Sequence, residues 1–146
     1  MNTEDYVSFE TAKLLKEKGF NEWCFKCYGI AVLHNGADIS FDEECELKDE
    51  GRENEIEYVE GGRLYDYASN NRENVRVVWA APTLWAAMKW LREVHHIFIR
   101  VIQSHIEYCV CEIYYNSSSC YAFRTSFDSY EEACEEAIKY CLEKLI

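Results

Sequence analysis

No stretch of the 146-residue sequence approaches about 18 uninterrupted apolar residues, the length that a membrane-spanning helix needs. The first ten residues, MNTEDYVSFE, contain neither a cationic segment nor an apolar one, so we expect no secretory signal peptide. We therefore expect a cytoplasmic protein that makes no membrane contact. In that reducing compartment the eight cysteines are expected to remain free thiols.

The sequence also lacks the short motifs of several enzyme classes. It contains no G-x-G-x-x-G, no Walker loop, no G-x-S-x-G and no H-E-x-x-H. His95 and His96 fall where a predicted helix ends, and a positive charge is favourable there, so we interpret them as helix-terminal residues. We therefore predict a protein that is not an enzyme, with no catalytic residue and no cofactor.

Positive charge is scarce, with 15 lysines and arginines against 27 acidic residues and a net charge of −12. Ten of the carboxylates and only two of the cations lie in residues 42–60. Such a field repels polyphosphate, which argues against direct contact with DNA or RNA. We interpret residues 42–74 as an acidic loop or insertion, and two alternatives are a surface for a basic partner and a mimic or inhibitor that imitates nucleic acid. The acidic candidate contact residues are Glu43, Glu44, Glu46, Asp49 and Glu50.

The segment WCFKC spaces Cys24 and Cys27 as in the thioredoxin active site. In that family the first cysteine begins a helix after a strand, whereas here the pair follows a predicted helix and precedes a predicted strand. We therefore interpret these thiols as buried apolar groups, and we predict no metal site. The alternative is a thiol- or zinc-dependent protein that uses this pair.

Apolar residues at helical spacing predict three helices. The first covers about residues 9–18, between the N-cap Ser8 and Gly19. The second follows Thr83, and the third lies behind the capping box of Ser129 and Glu132.

Alternating apolar residues predict the strands. Asn35-Gly36 predicts a hairpin between CFKCYGIAVLH and ADISF, and EIEYVEGGRLYDYA a second hairpin. VRVVWA is a further strand, and IFIRVIQ, IEYCVCEIYY and CYAFRTSF form a meander. Without a repeat or linker, we predict one α+β domain over residues 1–146. In it three helices pack on an antiparallel sheet of about five to six strands, and the C-terminal half has the order α-β-β-β-α.

That order is shared with double-stranded-RNA-binding domains, but the last helix begins with a different charge. Those domains place lysines there, whereas this chain has four carboxylates that would repel RNA. A shared order of elements implies no shared function.

Aromatic residues are abundant, with four Trp, eleven Tyr and seven Phe. Because aromatic side chains dominate many binding interfaces, the tryptophans are candidate contact residues, although ordinary core positions are the alternative for each. They are Trp23, Trp79, Trp85 and Trp90. We predict an accessory protein that acts through surface contacts, with a protein partner or through self-association.

A resemblance to a family of proteins rests on three stretches of the sequence, VSFETAKLLKEKGF, APTLWAAMKWLREVHHIFI and SYEEACEEAIKYCLEKLI. Together they resemble a family of short Bacteroides-type bacterial proteins that are associated with phages or mobile elements. The resemblance covers both ends and the centre of the chain and leaves out the acidic middle. It implies a bacterial cytosolic accessory protein, and it implies no activity and no site residues.

Overall fold

A computed structural model describes residues 5–29, 31–37, 39, 41–59, 63–66, 68–71, 78–105, 108–115, 119–125 and 129–146. These residues form four α-helices and eight strands, so the predicted α+β class is confirmed. The helices are α1 (Phe9–Glu17), α2 (Phe41–Asp49), α3 (Leu84–His95) and α4 (Tyr130–Lys144). The strands are β1 (Cys27–Tyr28), β2 (Ala31–Leu33), β3 (Ile56–Tyr58), β4 (Leu64–Tyr65), β5 (Trp79–Ala80), β6 (Ile97–His105), β7 (Tyr108–Tyr115) and β8 (Ser119–Thr125).

The strands of the described residues form three antiparallel sheets, with the orders β4-β1-β5, β2-β3 and β6-β7-β8. The prediction of three helices on one sheet of about five to six strands is therefore wrong. One reason is Gly29, whose φ of +77° redirects the chain between β1 and β2. The segment predicted as one strand thus becomes two short strands in different sheets.

The chain divides into two compact units. The first comprises Met1–Phe20 with Pro82–Ile146, and the second comprises Asn21–Ala81. The prediction of one domain over residues 1–146 stays a prediction.

In the first unit, helix α1 has the ends that its sequence predicts. The Ser8 side chain accepts a hydrogen bond from the backbone N–H of Thr11. At the other end Gly19 has a φ of +92°, and the N–H of Phe20 donates to the carbonyl of Leu15 at 2.9 Å. This is the Schellman arrangement, which satisfies carbonyls that a helix end leaves without intrahelical donors.

The predicted α-β-β-β-α order of the C-terminal half is confirmed, with α3 and α4 on either side of the β6-β7-β8 meander in sequence. Both helices contact the meander, and α4 buries one apolar stripe. Side chains of β6 and β7 alternate, so that Ile97 and Ile113 are buried whereas Phe98 and Tyr114 are exposed. The buried stripe of α4 consists of Ala133, Cys134, Ala137, Ile138, Cys141 and Leu142.

In the second unit, the acidic stretch predicted as a loop is helical over Phe41–Asp49, which corrects that prediction. Three acidic residues in its first turn and Lys48 in its last favour the helix dipole. Leu47 packs against the buried cluster that contains Ile39 and Ile56, which fixes the helix to its unit.

The pairing predicted for the second hairpin of this unit is also wrong. Of the returning strand of the first hairpin, ADISF, residues 38 and 40 lie outside the described residues, and Phe41 begins α2. Strand β2 pairs with β3, and β4 pairs with β1, so neither predicted partner is used among the described residues. The Asn35-Gly36 turn itself forms, since the N–H of Leu33 donates to the carbonyl of Ala37 at 2.9 Å. Of the predicted VRVVWA strand, residues 75–77 lie outside the described residues, and β5 covers its end.

Candidate functional site

The first unit contains a cavity of about 440 Å³ at the first turns of α3 and α4, which we call the aromatic groove. Trp85 and Tyr130, both exposed, line it, and the buried side chains of Leu84 and Cys134 lie at its base. A volume of this size lies within the range of known ligand pockets. It is therefore large enough to enclose one or a few side chains of a partner.

Two capped helix starts place the groove's aromatic rings. The Thr83 hydroxyl accepts from the N–H of Ala86 at 3.1 Å, and the Ser129 hydroxyl accepts from the N–H of Glu132 at 3.1 Å. Each cap fixes the first turn of its helix, which carries Trp85 on α3 and Tyr130 on α4. Since α3 and α4 pack together, the two rings line one cavity.

Helical spacing brings the remaining lining residues to the same place. Met88 lies one turn after Trp85 on α3, and Cys134 lies one turn after Tyr130 on α4. The N-terminal segment closes one side, because the N–H of Val7 donates to the carbonyl of Pro82 at 3.0 Å and Asp5 lines the groove. The groove thus rests on three segments that hydrogen bonds and packing hold together.

The base of the groove is uncharged at neutral pH. Burial raises the pKa of the Cys134 thiol to about 12, and burial likewise raises the pKa of the Tyr130 phenol. A thiol with so high a pKa stays protonated at neutral pH. Because the thiolate is the nucleophile, this sulfur is suited to packing rather than to covalent chemistry.

Among the described residues, the charged groups that line the groove are acidic. They are the carboxylates of Asp5 and Glu131. Just outside, the ammonium of Lys89 lies 5.7 Å from the centre of the Trp85 ring, a cation–π contact. The groove therefore combines an apolar base with negative charge and an aromatic face that attracts cations.

The four predicted tryptophans differ in how far they are exposed. Trp23 and Trp85 are 65% and 66% exposed, in the second and first unit respectively. Trp79 is half-buried and packs over Gly29. Trp90 is only 4% exposed and contacts the ring of Phe20 at a centroid distance of 5.4 Å, so we remove it from the contact residues.

The ring of His95 also packs on Trp90, at a centroid distance of 4.8 Å. Burial and the neighbouring His96 lower the pKa of His95 below its usual value. His95 therefore does not supply the helix-terminal cation that the sequence suggested, and His96 ends the helix in a left-handed conformation with a φ of 56°.

The predicted acidic contact residues also include both buried and exposed side chains. Glu44 is 2% exposed, accepts from the Tyr58 hydroxyl at 2.9 Å and pairs with Lys48 at 3.2 Å. We therefore remove Glu44 from the contact residues, since it stabilises the fold. The exposed members are Glu43, Glu46, Asp49 and Glu50, of which Glu50 pairs with Arg52 at 3.0 Å.

Cys24 and Cys27 are both buried, next to and within β1. Burial raises the pKa of Cys24 to about 12, with further increases from Glu22 and Cys27. An activated thiol has its pKa shifted in the opposite direction, so this geometry favours the packing interpretation. Among the described residues no group of three or more His, Cys, Asp or Glu side chains could hold a metal ion.

Of the groove residues, only Trp85 is among the contact residues that the sequence predicts. The start of the last helix, which includes Glu131, is notable in the sequence only for its carboxylates. A usable signal was the aromatic residue that closely follows an N-cap on two helices, Thr83-Leu84-Trp85 and Ser129-Tyr130. The two helix starts lie side by side because α3 and α4 pack together. The sequence pattern of a single helix does not show which other helix it packs against.

Comparison with models of known protein families, with curated proteins and with solved structures finds no match to this chain. In the part of the chain that the structure describes, no helix has both the length and the apolar character to cross a membrane.

Proposed function

We propose that this protein is a non-enzymatic accessory protein that binds a segment of a partner protein in the aromatic groove. The segment presents an apolar or aromatic side chain to the base of the groove and lysine or arginine side chains to its acidic edge. The observation that carries the proposal is an apolar cavity of about 440 Å³ bordered by the exposed ring of Trp85 and the carboxylate of Glu131.

Burial supplies the apolar part of the recognition. Leu84 and Met88 offer aliphatic surface on α3, and Tyr130 offers an aromatic ring on α4. Large side chains that become buried in such a cavity contribute most of the affinity of many interfaces. An exposed tryptophan beside it provides a large contact area with few rotatable bonds.

Charge selects the flanking residues of the partner. The chain has a net charge of −12, and the two charged side chains among the described lining residues, Asp5 and Glu131, are also negative. An acidic segment would be repelled, whereas a basic one would be attracted before contact and would associate faster. The cation–π contact of Lys89 with Trp85 illustrates the interaction that a partner's lysine or arginine would make with the ring's face.

The direct test is the binding of fluorescently labelled synthetic peptides with a central tryptophan and flanking lysines, followed by anisotropy. We expect binding that weakens as salt rises and that peptides with flanking glutamates do not reproduce. Trp85→Ala should weaken binding by about thirtyfold, since a buried aromatic anchor is worth about 2 kcal/mol. Glu131→Lys should weaken it through charge reversal.

Trp23→Ala is the matched control, because Trp23 is exposed to the same extent as Trp85 and is not among the described residues that line the groove. It should leave the affinity unchanged. Failure of the lysine-flanked peptides to bind, or equal losses for the Trp23 and Trp85 variants, would overturn the proposal.

The exposed acidic face of α2 favours a second candidate, an acidic mimic or inhibitor that binds a basic, nucleic-acid-binding partner. Asp42, Glu46 and Asp49 are exposed and follow the i, i+4, i+7 spacing of one helix face. Replacing all three by their amides should abolish such binding without unfolding the chain. Undiminished capture of the basic partner by this variant would eliminate the candidate.

For the biological setting, we propose the cytoplasm of a bacterium that carries a phage or mobile element. This part of the proposal rests on the resemblance of the three sequence stretches described above. Co-purification from such a host, compared between the wild-type chain and the Trp85→Ala variant, would test it together with the groove.

A further inference from the structure

Strand β6 forms one edge of the meander, because the order of the sheet is β6-β7-β8. In an antiparallel pair every second residue directs its N–H and C=O away from the neighbouring strand. Among the residues that the structure describes, β6 forms backbone hydrogen bonds with no segment other than β7. This strand of nine residues therefore presents about four N–H and about four C=O groups outward, and we call this row the β6 edge.

The side chains that face the helices also show that the flank of β6 is open. Helices α3 and α4 both pack on β6, yet Ile99 and Val101 on that side are only half-buried. Their partners on β7, Ile113 and Cys111, are both 0% exposed. Since β7 has a strand on each side and β6 has one, we attribute the difference to the open flank of β6.

The sequence of β6 provides little protection against the addition of another strand. Natural edge strands are commonly protected by proline, by charges that point inward or by bulges. Residues Ile97–His105 contain no proline, and their one charged side chain, Arg100, lies on the face opposite to Ile99 and Val101. The register shift of this strand lies at its end, between Gln103 and His105. The edge is therefore regular and mostly apolar over about seven residues.

We propose that the β6 edge binds an extended segment of a partner protein, which adds a fourth strand to the meander. The backbone of the edge selects this occupant, because a strand can pair with a row of free N–H and C=O groups whereas a helix satisfies its own. Apolar side chains at alternate positions of the segment would cover Ile99 and Val101. None of the described residues that line the aromatic groove lies on β6, so this is a second binding site.

Arg100 selects the residue that the segment places on the other face. Its side chain is 67% exposed, and its guanidinium lies 3.9 Å from the carboxylate of Glu112 on β7, which also accepts from the Tyr114 hydroxyl at 2.8 Å. The new strand lies on the other side of Arg100, where an aspartate or glutamate directly opposite would form a cross-strand pair with it. We therefore expect a segment in which apolar residues alternate with polar ones that include a carboxylate.

The probe is a fluorescently labelled synthetic peptide in which valines alternate with threonines and a central threonine is replaced by glutamate. Anisotropy should show binding, and NMR should show slower hydrogen exchange at every second amide from Phe98 to Gln103. Two further peptides carry N-methyl groups either on the valines or on the other residues. Only one set of N–H groups faces β6, so one of these peptides should bind like the parent and the other should not bind.

Charge reversal tests the contact with Arg100. Arg100→Glu should weaken binding of the glutamate peptide about fivefold, and replacing that glutamate by lysine should restore it. Arg92→Glu makes the same charge change at an exposed position of α3 and should leave the affinity unchanged. Circular dichroism should show that both variants retain their helices.

Three results would refute strand addition by a partner. The first is unchanged hydrogen exchange in β6 at saturating peptide, and the second is equal binding, or equal loss of binding, for the two N-methylated peptides. The third is slower exchange in β6 that appears as the concentration of the chain rises without peptide, because the edge would then bind a second copy.

Discussion

Glu135 on α4 holds the start of α1 in the first unit, and its removal should cost measurable stability. Its Oε1 accepts from the backbone N–H of Ser8 at 2.9 Å and from the hydroxyl of Thr11 at 2.5 Å. Thr11 is fully buried, so Glu135→Ala leaves that hydroxyl without its carboxylate acceptor. Hydrogen bonds to charged groups contribute about 1.5–3 kcal/mol each, and water can replace part of the contact at Ser8. We expect a loss of about 2–4 kcal/mol in the free energy of unfolding.

Urea denaturation followed by circular dichroism measures this loss as a lower midpoint at an unchanged slope. Glu135→Gln keeps an acceptor without the charge and should recover part of the loss. Glu136→Ala removes the exposed neighbouring carboxylate and should change the free energy of unfolding by no more than about 0.5 kcal/mol. If the Glu135→Ala variant is as stable as the Glu136→Ala variant, the two hydrogen bonds to Glu135 contribute nothing to the stability of the fold.

Two further predictions concern the second unit and the buried thiols. Gly29→Ala should destabilise the chain by at least about 2 kcal/mol for two reasons. An alanine is strained at the left-handed φ of this position, and its methyl group would lie 2.5 Å from a ring atom of Trp79. Gly36→Ala, at a similar φ of +85° but in open space, should cost about 1 kcal/mol, and equal losses in thermal melts would contradict the steric argument. Burial raises the pKa of Cys141 from 9.0 to about 12, so the unfolded thiol ionises first and stability should fall as the pH rises above 9. Cys141→Ala should reduce this loss of unfolding free energy by up to about 1.4 kcal/mol per pH unit. If the free energy of unfolding depends on pH equally in both chains, the Cys141 thiol is not shielded from solvent.

Local signals in the first unit made its elements predictable. Ser8 and Gly19 flank α1, and the capping box of Ser129 and Glu132 precedes α4, so each helix end depends on residues within one turn of it. The long alternating strands β6 and β7 likewise carry their own pattern. Elements of this kind are specified by short-range chemistry, which a sequence displays directly.

The second unit depends on contacts between distant residues, and prediction failed there. The mostly acidic sequence of α2 predicts a loop, yet Glu44 is buried and accepts a hydrogen bond from Tyr58, 14 residues further along the chain. The break between β1 and β2 reflects the packing of Trp79 over Gly29, 50 positions away in sequence. Neither contact has a signature within a single segment.

The candidate site was predictable only in part for the same reason. Trp85 is predicted as a contact residue because aromatic side chains dominate many binding interfaces, which is a property of the residue type alone. Tyr130, Glu131 and Cys134 join it only because α4 packs beside α3. A groove between two helices is a tertiary feature, and helical periodicity does not indicate which helix starts adjoin.

The most direct test of the central claim is an amide NMR titration of the isotope-labelled chain with the lysine-flanked tryptophan peptide. We expect chemical-shift changes concentrated in Thr83–Met88 and Tyr130–Cys134, including the indole N–H of Trp85, with little change around Trp23. Shift changes confined to other parts of the chain, or none at saturating peptide, would contradict this expectation.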